Sequence, residues 1–128
     1  MKILLRCCVL LLASAAFARA DLPRMQGLAS WYGEEHRGKL MANGEKFDPD
    51  KMTAASWDYP LGTRVRVTVN SKDFPTKTVM VTITDRGPKR ELVNEGRVID
   101  LGRAAFEKIA PKELGLVPVV VEPVVGQN

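Results

Sequence analysis

Arg64-Val65-Arg66-Val67-Thr68-Val69 and Thr78-Val79-Met80-Val81-Thr82-Ile83-Thr84 are the stretches that decide the fold. In the first, valine fills every second position and polar residues fill the others; in the second, Val79, Val81 and Ile83 share one face. A period of two built from β-branched residues marks strands with one buried face. Between them Asn70-Ser71-Lys72-Asp73-Phe74-Pro75 supplies turn residues, so the pair reads as a hairpin with a longish loop. Shorter strands are expected over Leu28 to Tyr32, Arg97 to Ile99 and Val117 to Val121. One helix is expected from Leu101 to Ala110, where Leu101, Ala105, Phe106 and Ile109 share a face ahead of Pro111, with Asp100 or Gly102 at its start. Gly33 to Leu61 lacks sustained periodicity but is dense in turn residues, and so long a loop in a compact domain is functional or wrongly assigned. The expected class is mainly β: a small, mostly antiparallel barrel with one short helix and a long loop near its start.

The N-terminus carries a different signal. Lys2 and Arg6 precede an apolar run from Cys7 to Phe17, and Ala18-Arg19-Ala20 offers small residues before Asp21. That is the layout of a secretory signal peptide over residues 1–20, cleaved after Ala20. A spanning helix needs about 20 apolar residues, and this run is about half that, so no membrane anchor is expected after cleavage. Cys7 and Cys8 precede the apolar run, where a lipid-modified cysteine does not belong. Cleavage removes both cysteines, and with them any disulfide, thiolate nucleophile or cysteine metal site. It also removes Lys2, Arg6 and Arg19 from the 19 basic residues and none of the 15 acidic ones, leaving 16 against 15 and a net charge of +1 instead of +4. Nucleic-acid binding, which needs a basic patch, is not expected. Residues 21–128 read as one domain, periplasmic or secreted.

Four short stretches stand out from the strand pattern. They are Gly27-Leu28-Ala29-Ser30-Trp31-Tyr32-Gly33; Ala42-Asn43-Gly44-Glu45-Lys46-Phe47-Asp48 with Met52-Thr53-Ala54-Ala55; Pro60-Leu61-Gly62-Thr63-Arg64-Val65; and Ile83-Thr84-Asp85-Arg86-Gly87-Pro88 leading to Gly96-Arg97-Val98-Ile99-Asp100-Leu101. In this order and spacing, from about Leu28 to Val121, they resemble the rare lipoprotein A family. The resemblance implies a six-stranded double-psi β-barrel, the fold of plant expansins and some endoglucanases. It also implies action on the glycan strands of peptidoglycan as an endolytic transglycosylase, with strands lacking stem peptides as substrate and 1,6-anhydro ends as product. Cell-division or envelope proteins are the further partners it suggests. Many relatives carry a separate C-terminal glycan-binding domain, and none is expected here. No cofactor and no metal is implied.

Residue chemistry supports part of this. Asp85 follows a strand and precedes a sharp turn, where a rigid scaffold can present a carboxyl to a cleft. Glycoside cleavage needs a carboxylic acid to protonate the departing oxygen, and one group can serve as acid and then as base. The other reading of Asp85 is a structural carboxylate, paired with Arg86 or capping the turn. Glu45 follows the turn pair Asn43-Gly44. By resemblance it is the second functional carboxylate, placed to position substrate or tune Asp85; read locally it is a solvated loop glutamate.

The departure from the family lies at Ser56. Relatives read Thr-Ala-Ala-His where this chain has Thr53-Ala54-Ala55-Ser56, and serine can donate a hydrogen bond but cannot take up a proton near neutral pH. The lone histidine, His36, lies on the earlier loop, and whether it replaces that imidazole stays open. Asn43, Tyr32, Ser56, Trp57 and Arg86 are the expected substrate contacts. Trp31, Tyr32, Trp57 and Tyr59 flank the cleft segments and could pack on sugar faces, with core packing the alternative, above all for Trp31. Arg86 and Arg97 could meet muramic acid carboxylates or pair with Asp85 and Asp100, and Asp100 is expected to cap the helix at Leu101 to Arg103, with a carboxylate near the cleft the alternative. Two functions from different classes follow: a lytic transglycosylase, or a non-catalytic glycan-binding barrel.

Overall fold

The computed structural model describes residues 22–124. The leader expected over residues 1–20 lies outside them. Six strands form a closed barrel: β1 (Met25–Tyr32), β2 (Thr53–Ala55), β3 (Arg64–Val69), β4 (Thr78–Asp85), β5 (Arg97–Gly102) and β6 (Val117–Pro123). Around the barrel the order is β1-β5-β2-β4-β3-β6. The pairs β1/β5 and β2/β4 are parallel, and the other four are antiparallel. The hairpin forms as expected, with Val65 opposite Val81 and Val67 opposite Val79, and the Thr68 and Thr78 hydroxyls 3.0 Å apart on the outer face. Val65, Val67, Val79, Val81, Ile83, Val117, Val119 and Val121 fill the interior. Closure leaves no sheet edge unpaired.

Three expectations change. The helix is shorter: Leu101 and Gly102 continue β5 because Leu101 pairs with both Trp31 and Ala54. The helical segment is Arg103–Glu107, here α2, which buries Ala105 and Phe106. An additional helical turn, α1 (Arg90–Val93), follows the Asp85 turn. The long segment after β1 contains β2, whose three residues are too few to show a period, and otherwise folds compactly. A 3-10 turn at Glu34–His36, a bridge between Leu40 and Lys46, and the buried ring of Phe47 organise it. Arg37 binds Glu34, Asp48 and Asp50, and Asp50 also accepts from Arg103 of α2, which ties the loop to the barrel.

Gly27 marks the tightest approach of β1 to β5. A Cβ there would lie 2.6 Å from both the Gly96 carbonyl oxygen and Val98 Cγ1. Backbone cannot yield as a side-chain tip can, so Gly27→Ala is expected to destabilise the barrel by about 1–3 kcal/mol. Thermal unfolding of that variant checks it.

Candidate functional site

Asp85 ends β4 and is partly exposed. A bulge places it there: β2 and β4 run Ala54 opposite Ile83, then Ala55 opposite Asp85, so Thr84 is the extra residue. Ile83 and Thr84 are consequently both buried, and the carboxyl is re-aimed at the rim. Asp85 Oδ1 accepts the backbone N–H groups of Ala42 and Arg86, each at 2.9 Å.

The first of these bonds assembles the site. The turn from Met41 to Glu45 is sewn to the end of β4 by Ala42 N–H on Asp85 and by Asn43 N–H on the Thr84 carbonyl at 3.1 Å. Asn43 Oδ1 accepts the Glu45 N–H at 2.9 Å, and Gly44 takes a positive φ of 88° that suits glycine. Residues 40 positions apart are thus held at one rim, with Ala42, Asn43, Gly44 and Glu45 all exposed. The turn that carries Glu45 is thereby seated on the Asp85 carboxyl.

Asp100 joins them. It does not cap a helix: Gly102 is the N-cap of α2, with no side-chain cap bond, and Asp100 sits within β5. The register Ser30–Asp100–Ala55–Asp85 runs as one row across β1, β5, β2 and β4. With strands about 4.8 Å apart, the two aspartate Cα atoms stand about 10 Å apart on either side of Ala55. Gly87 closes over that alanine, where a Cβ would be 3.2 Å from the Ala55 methyl. Ser30 Oγ donates to Asp100 Oδ1 at 3.3 Å. Burial raises the Asp100 carboxyl to about 6, with the Asp85 charge adding to the rise and the Ser30 bond and Arg97 opposing it.

That value has a consequence for stability. Between about 4 and about 6 the native state holds a proton that the unfolded state has lost, so stability falls as pH rises through this window. The contribution is fully present below the ordinary carboxylate value. Asp100→Asn is expected to flatten this part of the pH dependence and to raise the thermal midpoint at neutral pH, as midpoints measured across pH 4–7 will show.

Tyr32 lies one step along β1 from Ser30, on the same face. Its ring stacks on Phe47 at 4.1 Å and meets His36 edge-on at 5.8 Å. Its hydroxyl is buried without a hydrogen-bond partner among the described residues, and burial together with Asp85 and Asp100 holds its ionisation far above the usual phenol range. Gly102 opposite leaves room for the Phe47 ring, 3.7 Å from where a Cβ would be. His36 therefore borders the site through Tyr32, with its imidazole 3.8 Å from Glu35.

Other expected contacts turn inward. Ser56 is 0% exposed; its hydroxyl accepts the Asp58 N–H at 3.1 Å and its N–H donates to the Asp85 carbonyl. Arg86 donates to the Ser56 and Tyr59 carbonyls at 2.9 and 2.6 Å, which secures this loop instead of pairing with Asp85. Tyr59 is a core residue whose hydroxyl bonds the Pro23 carbonyl. Trp31 packs against the core and donates to the Lys112 carbonyl. Trp57 is 38% exposed, but Arg90 of α1 covers one ring face at 3.9 Å and its indole N–H bonds the Pro88 carbonyl. Because Ser56 is sealed, Ser56→His is expected to overpack the site at a cost of about 1–3 kcal/mol, measurable by urea unfolding.

A closed six-stranded barrel with two parallel strand pairs, with Asp85 and Asp100 in one row and the Glu45 turn beside Asp85, is a double-psi β-barrel. Among solved structures, Streptomyces papain inhibitor matches at a TM-score of 0.58 and 26% identity, over 80% of this chain and 94% of its own. An apo Clavibacter michiganensis expansin matches at 0.61 and 23%, over 83% of this chain and 52% of its own, and shares the fold. The chain belongs to the family described as lytic transglycolase, which matches residues 24–121. Relatives include the endolytic peptidoglycan transglycosylases RlpA of Pseudomonas aeruginosa, 44% identical over 99 residues, and of Vibrio cholerae, 40% identical over 96. These matches cover 77% and 75% of this chain but 27% and 34% of the relatives, so the chain spans about a quarter to a third of their length.

Proposed function

We propose that this domain is an exported endolytic transglycosylase that cuts peptidoglycan glycan strands, preferably those lacking stem peptides, and leaves 1,6-anhydro ends. The observation that carries the reading is the bond from Ala42 to Asp85, which seats the Glu45 turn directly on a partly exposed carboxyl. Family membership and the names of the relatives support the substrate class. In the simplest mechanism Asp85 protonates the glycosidic oxygen as positive charge develops on the sugar ring. The same carboxyl then accepts the proton of the sugar's own 6-hydroxyl, which closes the anhydro ring in place of water. Glu45 and Asn43 contact the strand from the exposed turn, and the exposed part of Trp57 packs on a sugar ring.

A second reading has a specific observation behind it. No imidazole stands at position 56, and the serine there is sealed, so the rim could bind strands without cutting them. Digestion of denuded glycan strands followed by mass spectrometry separates the two. Anhydro-ended fragments support the transglycosylase, reducing ends indicate a hydrolase, and measurable binding without fragments establishes the binding module.

A further inference from the structure

The arginines around the rim differ in how far they are already engaged. Arg86 commits its guanidinium to the Ser56 and Tyr59 carbonyls, and Arg97 acts on Asp100. Arg90 is exposed and forms no ion pair with a carboxylate among the described residues, whereas Arg37 and Arg103 do. The geometry points to Arg90, held on Trp57, as the residue that binds the free lactyl carboxylate of a muramic acid ring and so selects strands lacking stem peptides. The assignment rests on the glycan-strand reading and names the side chain that tells a denuded strand from a peptide-bearing one.

Two sets of contacts carry the argument. The first fixes Arg90 in place. Its guanidinium carbon lies over the Trp57 ring, 3.9 Å from the centroid. Trp57 is held in turn by its indole N–H on the Pro88 carbonyl at 2.6 Å. A guanidinium seated on an aromatic ring keeps its N–H donors, which lie in its own plane as a fork that matches a carboxylate. Lys89, beside it and also exposed, is a point charge on a flexible stem and lacks that fork.

The second set places the stack at the site. Ser56, the residue before Trp57, donates its backbone N–H to the Asp85 carbonyl at 3.1 Å. Pro88, which accepts from Trp57, lies three residues beyond Asp85 in the same turn. The Glu45 turn thus meets Asp85 through its carboxyl, and the Trp57–Arg90 stack is tied to the backbone that carries it. A denuded strand bears a carboxylate on every second sugar. Joining a stem peptide turns that carboxylate into an amide, which removes its charge and one of the two oxygens that a guanidinium fork engages.

Calorimetric titration at low salt tests this in the Asp85→Asn background, where strands stay whole during the measurement. The probes are denuded glycan oligomers with free lactyl carboxyls, and the same oligomers with those carboxyls blocked as methylamides. The free acids are expected to bind about 3- to 10-fold tighter, between the worth of an exposed ion pair and that of a charge-assisted hydrogen bond. Arg90→Gln is expected to erase that ratio and leave affinity for the blocked oligomers unchanged. Arg90→Lys should keep part of it, and Trp57→Ala should reduce it by releasing the guanidinium. Added salt should shrink it as well. Equal binding of free and blocked oligomers overturns the inference, as does a ratio that survives Arg90→Gln or one that vanishes instead in Lys46→Gln on the Glu45 turn. Because the readout needs no turnover, a protein that prefers the free acid while the wild type cuts no strand keeps this subsite as part of a binding module. A protein that binds neither oligomer removes the glycan-strand reading, and the subsite with it.

Discussion

Asp85→Asn should slow strand cleavage by about 10²–10⁴-fold and leave the barrel intact. The substitution keeps an oxygen acceptor at Oδ1, so the N–H groups of Ala42 and Arg86 retain their partner and the Glu45 turn stays seated. What disappears is the ability to exchange a proton, which in general acid–base catalysis is worth about 10²–10⁴-fold in rate. The expected pattern is therefore a rate lower by that factor, an unchanged thermal midpoint and retained binding to denuded strands. A parallel Asp85→Ala variant should also free the turn, because it leaves the Ala42 N–H without its acceptor. Loss of rate in both variants, with weakened binding only in the alanine form, separates the chemical duty of this carboxyl from its duty as an anchor. Full activity in the asparagine form would remove Asp85 from the mechanism.

The largest expected effect on stability lies away from the rim, at Phe106. This side chain is 0% exposed and is the largest of the fully buried ones. It sits on α2, which follows β5 directly and packs against β1, β4 and β5. Truncation to alanine removes its transfer free energy and leaves a cavity that a closed barrel collapses poorly, a loss of about 3–5 kcal/mol. Domains of this size hold about 5–15 kcal/mol in all. Urea unfolding should show a much lower midpoint at an unchanged slope, the signature of lost stability with the same surface exposed. A stability loss below a tenth of this would mean that α2 contributes little to the closed barrel.

The strands were the most readable part of this chain. Val65, Val67 and Val69 against Arg64, Arg66 and Thr68 announce which face is buried, because a strand turns alternate residues to opposite sides. Thr53–Ala55 announces nothing, since three residues cannot display a period and two of them are alanines that suit any element. Leu101 and Gly102 match a helical spacing as well as a strand, and pairing with Trp31 and Ala54 decided between them. At the site, Asp85 and Glu45 were named through family resemblance, which carries residue identity but no geometry. The inward turn of Ser56, Arg86 and Tyr59 was hidden because polar and aromatic residues in a turn-rich segment look alike whether they face water or backbone carbonyls.

The linear chain by itself determined a β-rich class, the hairpin at its centre and two carboxylates worth attention, through local pattern, residue type and resemblance. Only the folded barrel decided that a bulge at Thr84 aims Asp85 at the rim, that residues 42 and 85 share a hydrogen bond, and that Asp100 stands in the same row. Register between strands distant in sequence sets all three, and register arises when the buried faces of six strands are satisfied together.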